Sequence, residues 1–262
     1  MTNQTAIVTG GSRGLGAAAA RIAGQMKANV TLMARTEGDL ETVAEEVRTA
    51  GGQALPLVGD VSRSADCKRA IEETVKAFGR IDALINNAGI LTPIAPIASG
   101  DPKEWERNWA VNVLGPVMLT QNALPYLRQS KGRVINVSSG AAVRAIQGWG
   151  AYCVAKAGVN HFTRLLTAEE PDITGISFRP GVVDTAMQAT IRREGAQGMP
   201  EEMYARFVRY HEEGELLPPE VPGCPLAVLA FHAPHEWGGA FLSWNDEQVL
   251  ALVRQFGCSY GV

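Results

Sequence analysis

Seven short, mostly apolar runs recur along the chain, each followed by a longer stretch, and this alternation constrains the fold more than any other feature. Thr5–Thr9, Val30–Met33, Ala54–Val58, Ala83–Ile85, Arg133–Val137, Gly175–Arg179 and Ala240–Trp244 read as strands. Runs that are nearly all apolar suit a parallel sheet covered on both faces. The stretches between them have helical spacing. In Thr36–Ala50, Leu40, Val43, Ala44 and Val47 fall on one face while Glu41, Glu45, Glu46 and Arg48 face away. Thr36 is the expected N-cap, and Gly51-Gly52 ends the helix. Alternation repeated this often implies βαβ crossovers and an α/β fold. The expected fold is a Rossmann-type doubly wound parallel sheet of about seven strands with helices on both faces.

Across 262 residues there is no linker, charge block or short repeat, so residues 1–262 read as one domain. With 46% hydrophobic and 19% charged residues, the chain is neither disordered nor collagen-like. A net charge of −3 argues against a nucleic-acid partner. No apolar run approaches the roughly 20 residues of a membrane-spanning helix. Cys67, Cys153, Cys224 and Cys258 have no CxxC or histidine spacing, so they read as free thiols in a reducing compartment, with no metal site. Met1–Gln4 runs directly into the first strand, which adds to the expectation of a cytoplasmic protein. The rhythm breaks at about 186–222, a charged helical segment ending at Pro218-Pro219 and read as a lid over a site. A C-terminal tail follows at about 246–262.

The first strand ends in Thr9-Gly10-Gly11-Ser12-Arg13-Gly14-Leu15-Gly16, before a helix expected over Ala17–Met26. Glycines at 10, 14 and 16 allow a tight turn and let the backbone approach a diphosphate at the helix N-terminus. Their spacing is G-x₃-G-x-G. The second strand ends in Ala34-Arg35-Thr36, without the carboxylate that usually holds the ribose 2′-hydroxyl of NAD. Arg13 and Arg35 could instead converge on a 2′-phosphate, which favours NADP(H) over NAD(H).

Tyr152 and Lys156 stand four apart, on one face of a helix. A nearby ammonium stabilises a phenolate and lets a tyrosine exchange a proton with a carbonyl or alcohol oxygen. Ser139, after the strand Arg133–Val137, offers a hydroxyl at the carboxyl edge of the sheet, where open α/β sheets bind ligands. Asn112 lies within a helical stretch (Trp105–Leu119), where an amide invites a role.

Together these residues resemble the short-chain dehydrogenase/reductase superfamily over nearly the whole chain. Thr9–Gly16 is similar to its glycine loop, Asp60-Val61 to its adenine-contacting pair and Asn86-Asn87-Ala88-Gly89 to its NNAG motif. Ser139 lies thirteen residues before Tyr152, the family's usual interval, and Pro180-Gly181 with Thr185 resembles its nicotinamide-side motif. The resemblance implies that Tyr152 is the general acid in reduction, that Lys156 lowers its pKa and binds the nicotinamide ribose, and that Ser139 orients the substrate carbonyl. It implies that Asn112 holds a water linking Lys156 to solvent, and that Thr185 and the Val183 backbone fix the carboxamide. Gly10, Ser12, Arg13, Gly14, Leu15, Gly16, Arg35, Asp60, Val61, Asn87, Ala88, Gly89, Pro180 and Gly181 complete the expected cofactor site. Trp149 and Met187 join Ser139 and Tyr152 around the substrate. Ser138 is the alternative to Ser139.

A narrower resemblance, carried by Ala168–Asp172, Pro180–Gln188 and Glu213–Leu217, points to the sepiapterin reductase and benzil reductase branch, which reduces vicinal dicarbonyls and related ketones with NADPH. Asp246 falls near the residue that anchors the pterin in sepiapterin reductases. The flanking Trp244-Asn245 and the longer tail depart from that pattern. The expectation is therefore an NADPH-dependent carbonyl reductase of small-molecule ketones or diketones, forming a homodimer or homotetramer. Two alternatives stay open: an NAD(H)-dependent secondary-alcohol or steroid dehydrogenase, and a non-catalytic NADP-sensing regulator.

Overall fold

The structure, a computed structural model, describes residues 3–258. Strands β1 (Thr5–Thr9), β2 (Asn29–Ala34), β3 (Gln53–Val58), β4 (Ala83–Asn86), β5 (Arg133–Val137), β6 (Thr174–Arg179) and β7 (Phe241–Ser243) form one parallel sheet. Their order is β3-β2-β1-β4-β5-β6-β7. The chain changes direction across the sheet between β1 and β4, where Ile7 pairs with Leu84. In open α/β sheets a crevice opens at that switch point, outside the carboxyl ends of the strands.

Alternation along each strand fills two cores. Val8, Val30, Leu32, Ile135 and Phe178 pack against α1 (Gly14–Gln25), α2 (Glu37–Thr49), α9 (Glu220–His232) and α10 (Glu247–Gln255). Ile7, Met33, Leu84 and Val134 turn the other way, toward α3 (Ser64–Phe78), α5 (Gly115–Ser130) and α6 (Gly150–Glu169). Each fully buried aliphatic side chain contributes roughly 1.5–3 kcal/mol, which makes the sheet a rigid platform for the loops at its edge. Helix α4 (Pro102–Trp109) runs through a π-helical turn (Ala110–Leu114) into α5. The 186–222 segment folds as α7 (Ala186–Gly198) and α8 (Glu201–Glu212), then returns to the sheet edge. There Leu217 N donates to Val182 O and Asp184 N to Leu217 O.

Two sequence expectations need correction. Thr36 sits at the N-cap of α2 in an extended conformation, but its side chain makes no capping bond. In the C-terminal tail, α10 packs on α9, and residues 259–262 lie outside the described residues. Cys224 and Cys258 are joined by a disulfide, with Cα atoms 6.1 Å apart, whereas Cys67 and Cys153 are free. The return of α10 across α9 brings these two cysteines together, and it removes one ground for placing the protein in a reducing compartment. Among the described residues no helix is long and apolar enough to cross a membrane.

Candidate active site

A cleft of about 790 Å³ opens at the switch point. Its lining includes Gly10, Ser12, Arg13, Gly14 and Leu15 from the glycine loop, Arg35 from the end of β2, Asp60 and Val61 after β3, and Asn87–Gly89 after β4. Thr185 and Met187 at the start of α7 complete it among the expected residues. Thr9 ties the two loops together. Its Oγ1 accepts from Asn87 N and Ala88 N, both at 3.0 Å, while Asn87 Nδ2 donates to Thr9 O at 2.9 Å.

Gly10 adopts φ +63°, a left-handed conformation that L side chains rarely take. Gly16 does not line the cleft. A Cβ there would strike Gly10 O and Asn87 Nδ2, so its role is close packing of α1 beneath the loop. Arg13 is the N-cap of α1 in an extended conformation, without a side-chain cap, and the first turn carries no acid. The first amides of a helix have no partner within it, and here they meet the cleft at Gly14 and Leu15. A glycine cradle ending in an uncapped helix N-terminus fits a diphosphate. At the other side Asp60 accepts from Ser62 N and Oγ at 2.9 and 2.8 Å. Its carboxyl is lowered from the ordinary value because these bonds and the nearby Arg35 and Arg63 outweigh burial. Burial, which acts upward, is the largest single influence.

The reacting end is enclosed. Tyr152, Lys156 and Asn112 are all buried. Lys156 Nζ donates to Val137 O at 2.7 Å and lies 5.5 Å from the Tyr152 ring centroid. Gly89 connects this group to the cleft: a Cβ there would lie 2.8 Å from Asn112 Oδ1 and 3.7 Å from Lys156 Nζ. Asn112 stands on the π-turn, with Nδ2 donating to Ile90 O and Asn108 Oδ1, both at 2.8 Å, and Oδ1 accepting from Ile90 N at 3.1 Å. Its amide thus fixes the 89–90 loop beside Lys156.

Ser138 and Ser139 separate cleanly. Ser138 is buried and donates to Asn160 Oδ1 at 2.6 Å, a packing role. Ser139 is partly exposed, its Oγ accepts from Ala141 N at 3.2 Å, and the same hydroxyl acts on the Tyr152 phenol. Burial pushes the Tyr152 phenol up to about 12, against the downward pull of the Ser139 hydroxyl. Burial likewise brings the Lys156 ammonium down to about 8. The phenol is therefore neutral over the ordinary pH range.

Trp149, the N-cap of α6, is buried beside Tyr152 and does not line the cleft. Its ring meets Tyr152 edge-on at 6.0 Å and Phe207 of α8 at 5.1 Å, and its Nε1 donates to Met199 Sδ at 3.3 Å. Leu91, Ala141, Ile191 and Met187 complete an apolar wall around Tyr152. Pro180, Gly181 and Val183 lie outside the cleft lining. Gly181 packs against Leu217 and Trp244, and Val183 bridges to Leu217, which sets where Thr185 begins α7. Asp246 is absent from the cleft lining; its Oδ2 accepts from Ser243 N at 2.7 Å and closes its own turn. Sequence reasoning passed over Arg107, Val111, Asp184 and Thr190, which also line the cleft. No local pattern marks them.

Fold and cleft together define a doubly wound α/β protein with a dinucleotide-type crevice beside an enclosed Ser-Tyr-Lys group. The family model described as short chain dehydrogenase matches residues 4–196, and the chain belongs to this family of oxidoreductases, which use a nicotinamide cofactor. It is 35% identical to Benzil reductase ((S)-benzoin forming) of Bacillus cereus, over 82% of this chain and 88% of that protein. Among solved structures it is similar to the KRED1-Pglu enzyme, with 40% identity, a TM-score of 0.87, and coverage of 92% of this chain and all of that one. It is also similar to the YIR035C short chain dehydrogenase/reductase of Saccharomyces cerevisiae, with 33% identity, a TM-score of 0.91, and coverage of 95% and 99%.

Proposed function

We propose that the protein is an NADPH-dependent carbonyl reductase of ketones and vicinal diketones, with residues 1–262 acting as one domain. The observation that carries this reading is the enclosed group itself: a neutral, buried Tyr152 phenol under the influence of the Ser139 hydroxyl, one helical turn from Lys156 and walled by apolar side chains. The nicotinamide, when bound, supplies the hydride. The chain supplies the rest. Ser139 and the Tyr152 hydroxyl hold the substrate oxygen, and Tyr152 Oη gives it a proton as negative charge develops there. Lys156, an ammonium below about pH 8, stabilises the phenolate left behind. Leu91, Ile191 and Met187 exclude water and favour apolar substituents on the carbonyl. Similarity to benzil reductases supports the diketone as substrate class.

Arg13 and Arg35, both exposed on the cleft lip, support NADPH, because a 2′-phosphate suits a guanidinium pair. Fluorescence titration of the full chain tests this. NADPH is expected to bind at least about tenfold more tightly than NADH, since charge-assisted hydrogen bonds are worth about 1.5–3 kcal/mol. Arg35→Gln should remove most of that difference. Equal affinities in the unaltered protein would contradict the cofactor choice. A homodimer or homotetramer is part of the same proposal, supported by exposed Trp109, Leu114, Val154 and Leu165 on neighbouring helices.

A further inference from the structure

The cleft holds one guanidinium that neither the glycine loop nor the end of β2 accounts for. Arg107, in the last turn of α4, lines the cleft together with Val111, four residues on, so both project from the same side of the helix. Its side chain is exposed and makes no hydrogen bond or ion pair with any described residue, although Glu104 stands three residues before it. The helix that carries it is held firmly. Asn108 Nδ2 donates to the carbonyls of Ile90, Leu91 and Thr92 at 3.3, 3.3 and 2.8 Å, and Asn112 bonds Ile90 on both sides of its amide. Arg107 is thus presented to the cleft from a backbone fixed to the loop that flanks it.

Charge decides what it meets. A nicotinamide dinucleotide brings a diphosphate with two negative charges, and NADPH adds a 2′-phosphate. The cations of the cleft lining are Arg13, Arg35 and Arg107. Arg13 and Arg35 stand where the 2′-phosphate is expected, which leaves the diphosphate with only backbone amides and the dipole of α1. Of the two lining carboxylates, Asp60 is already engaged by Ser62 and lies near Arg35 and Arg63. We propose that Arg107 is a cofactor-binding residue that contacts the diphosphate, the portion NADH and NADPH share. This rests on the cleft being the nicotinamide dinucleotide site, and it is independent of the preference for NADPH.

Fluorescence titration of Arg107→Gln and Arg107→Lys with NADPH and with NADH, at one ionic strength, tests the assignment. Arg107→Gln should weaken both cofactors by about tenfold, while Arg107→Lys, which keeps the charge, should stay within about threefold. Thermal unfolding without cofactor should be the same for all three proteins, because the side chain is exposed and unpaired. Unchanged binding of both cofactors by Arg107→Gln would overturn the proposal, as would weakening of NADPH alone, which would move Arg107 to the 2′-phosphate. A loss in Arg107→Lys as large as in Arg107→Gln would overturn the charge contact. If the unaltered protein binds NADH as tightly as NADPH, the cofactor preference fails, while the Arg107→Gln comparison still reads Arg107 itself.

Discussion

Two buried groups carry the proposed chemistry at the residue scale, and burial drives both toward neutrality. The Tyr152 phenol is raised to about 12 and the Lys156 ammonium lowered to about 8, so the pair differs in which member titrates near working pH. Tyr152 keeps its proton throughout, as the role proposed for it requires. Lys156 is charged below about pH 8 and loses its charge as pH rises through that value. Reduction that depends on the ammonium should therefore have kcat/KM level from about pH 6 to 7.5, then falling by up to tenfold per unit above about 8. A profile that stays level to pH 10 would show that the charge of Lys156 is not used. Tyr152, Lys156, Ser139 and Asn112 stood out in the sequence through the resemblance to the family, since a Tyr-x₃-Lys spacing alone fits any amphipathic helix face. Trp149 was legible only as a neighbour of Tyr152. Its burial against Phe207 and Met199 depends on a lid folding over residues far away in the chain. Arg107 was not legible, since a lone arginine on a charged helix face looks like any solvated side chain.

Strands and helices were the most legible elements. Every expected strand lies within two residues of its observed ends, because apolar β-rich runs closed by turns have few other uses in a covered parallel sheet. The π-turn at Ala110–Leu114 left no mark beyond an amide in a helix, as its extra residue per turn changes no composition. The break between α7 and α8 is marked by Pro200, whereas the Cys224–Cys258 pair depends on α10 crossing α9, which no spacing encodes. Among the described residues one apolar face remains unpartnered. Val154 and Leu165 on α6 are 51% and 48% exposed, and Trp109 and Leu114 beside them are 41% and 44% exposed. That much apolar surface on adjoining helices favours association. Leu165→Glu should shift the assembly toward monomer in sedimentation equilibrium with the far-UV spectrum unchanged. An unaltered mass would contradict pairing through this face.

Over the whole molecule, one end of the crevice is open and the other shut. The glycine loop and the end of β2 face solvent, whereas Tyr152 lies under α7 and α8. The lid is clasped where Gly198 meets the Ile94 backbone and Gly148 meets the Gly198 backbone, so closely that a Cβ on either glycine would collide. Helix α8 contributes no fully buried residue and leans on the wall through Met203, Tyr204 and Phe207. In the proposed mechanism the open groove takes the cofactor and the enclosed Tyr152 gives the proton, which separates binding from chemistry. Tyr152→Phe uses that separation. It removes one hydroxyl from the reacting end and leaves the glycine loop, Arg13 and Arg35 intact. Single-turnover oxidation of NADPH by benzil, followed alongside NADPH affinity, is the most direct test of the account. Tyr152→Phe should slow the step by at least about 100-fold, the usual scale of general acid catalysis, with NADPH affinity within about threefold of the unaltered protein. An unaltered rate in Tyr152→Phe would contradict the assignment of Tyr152 as proton donor.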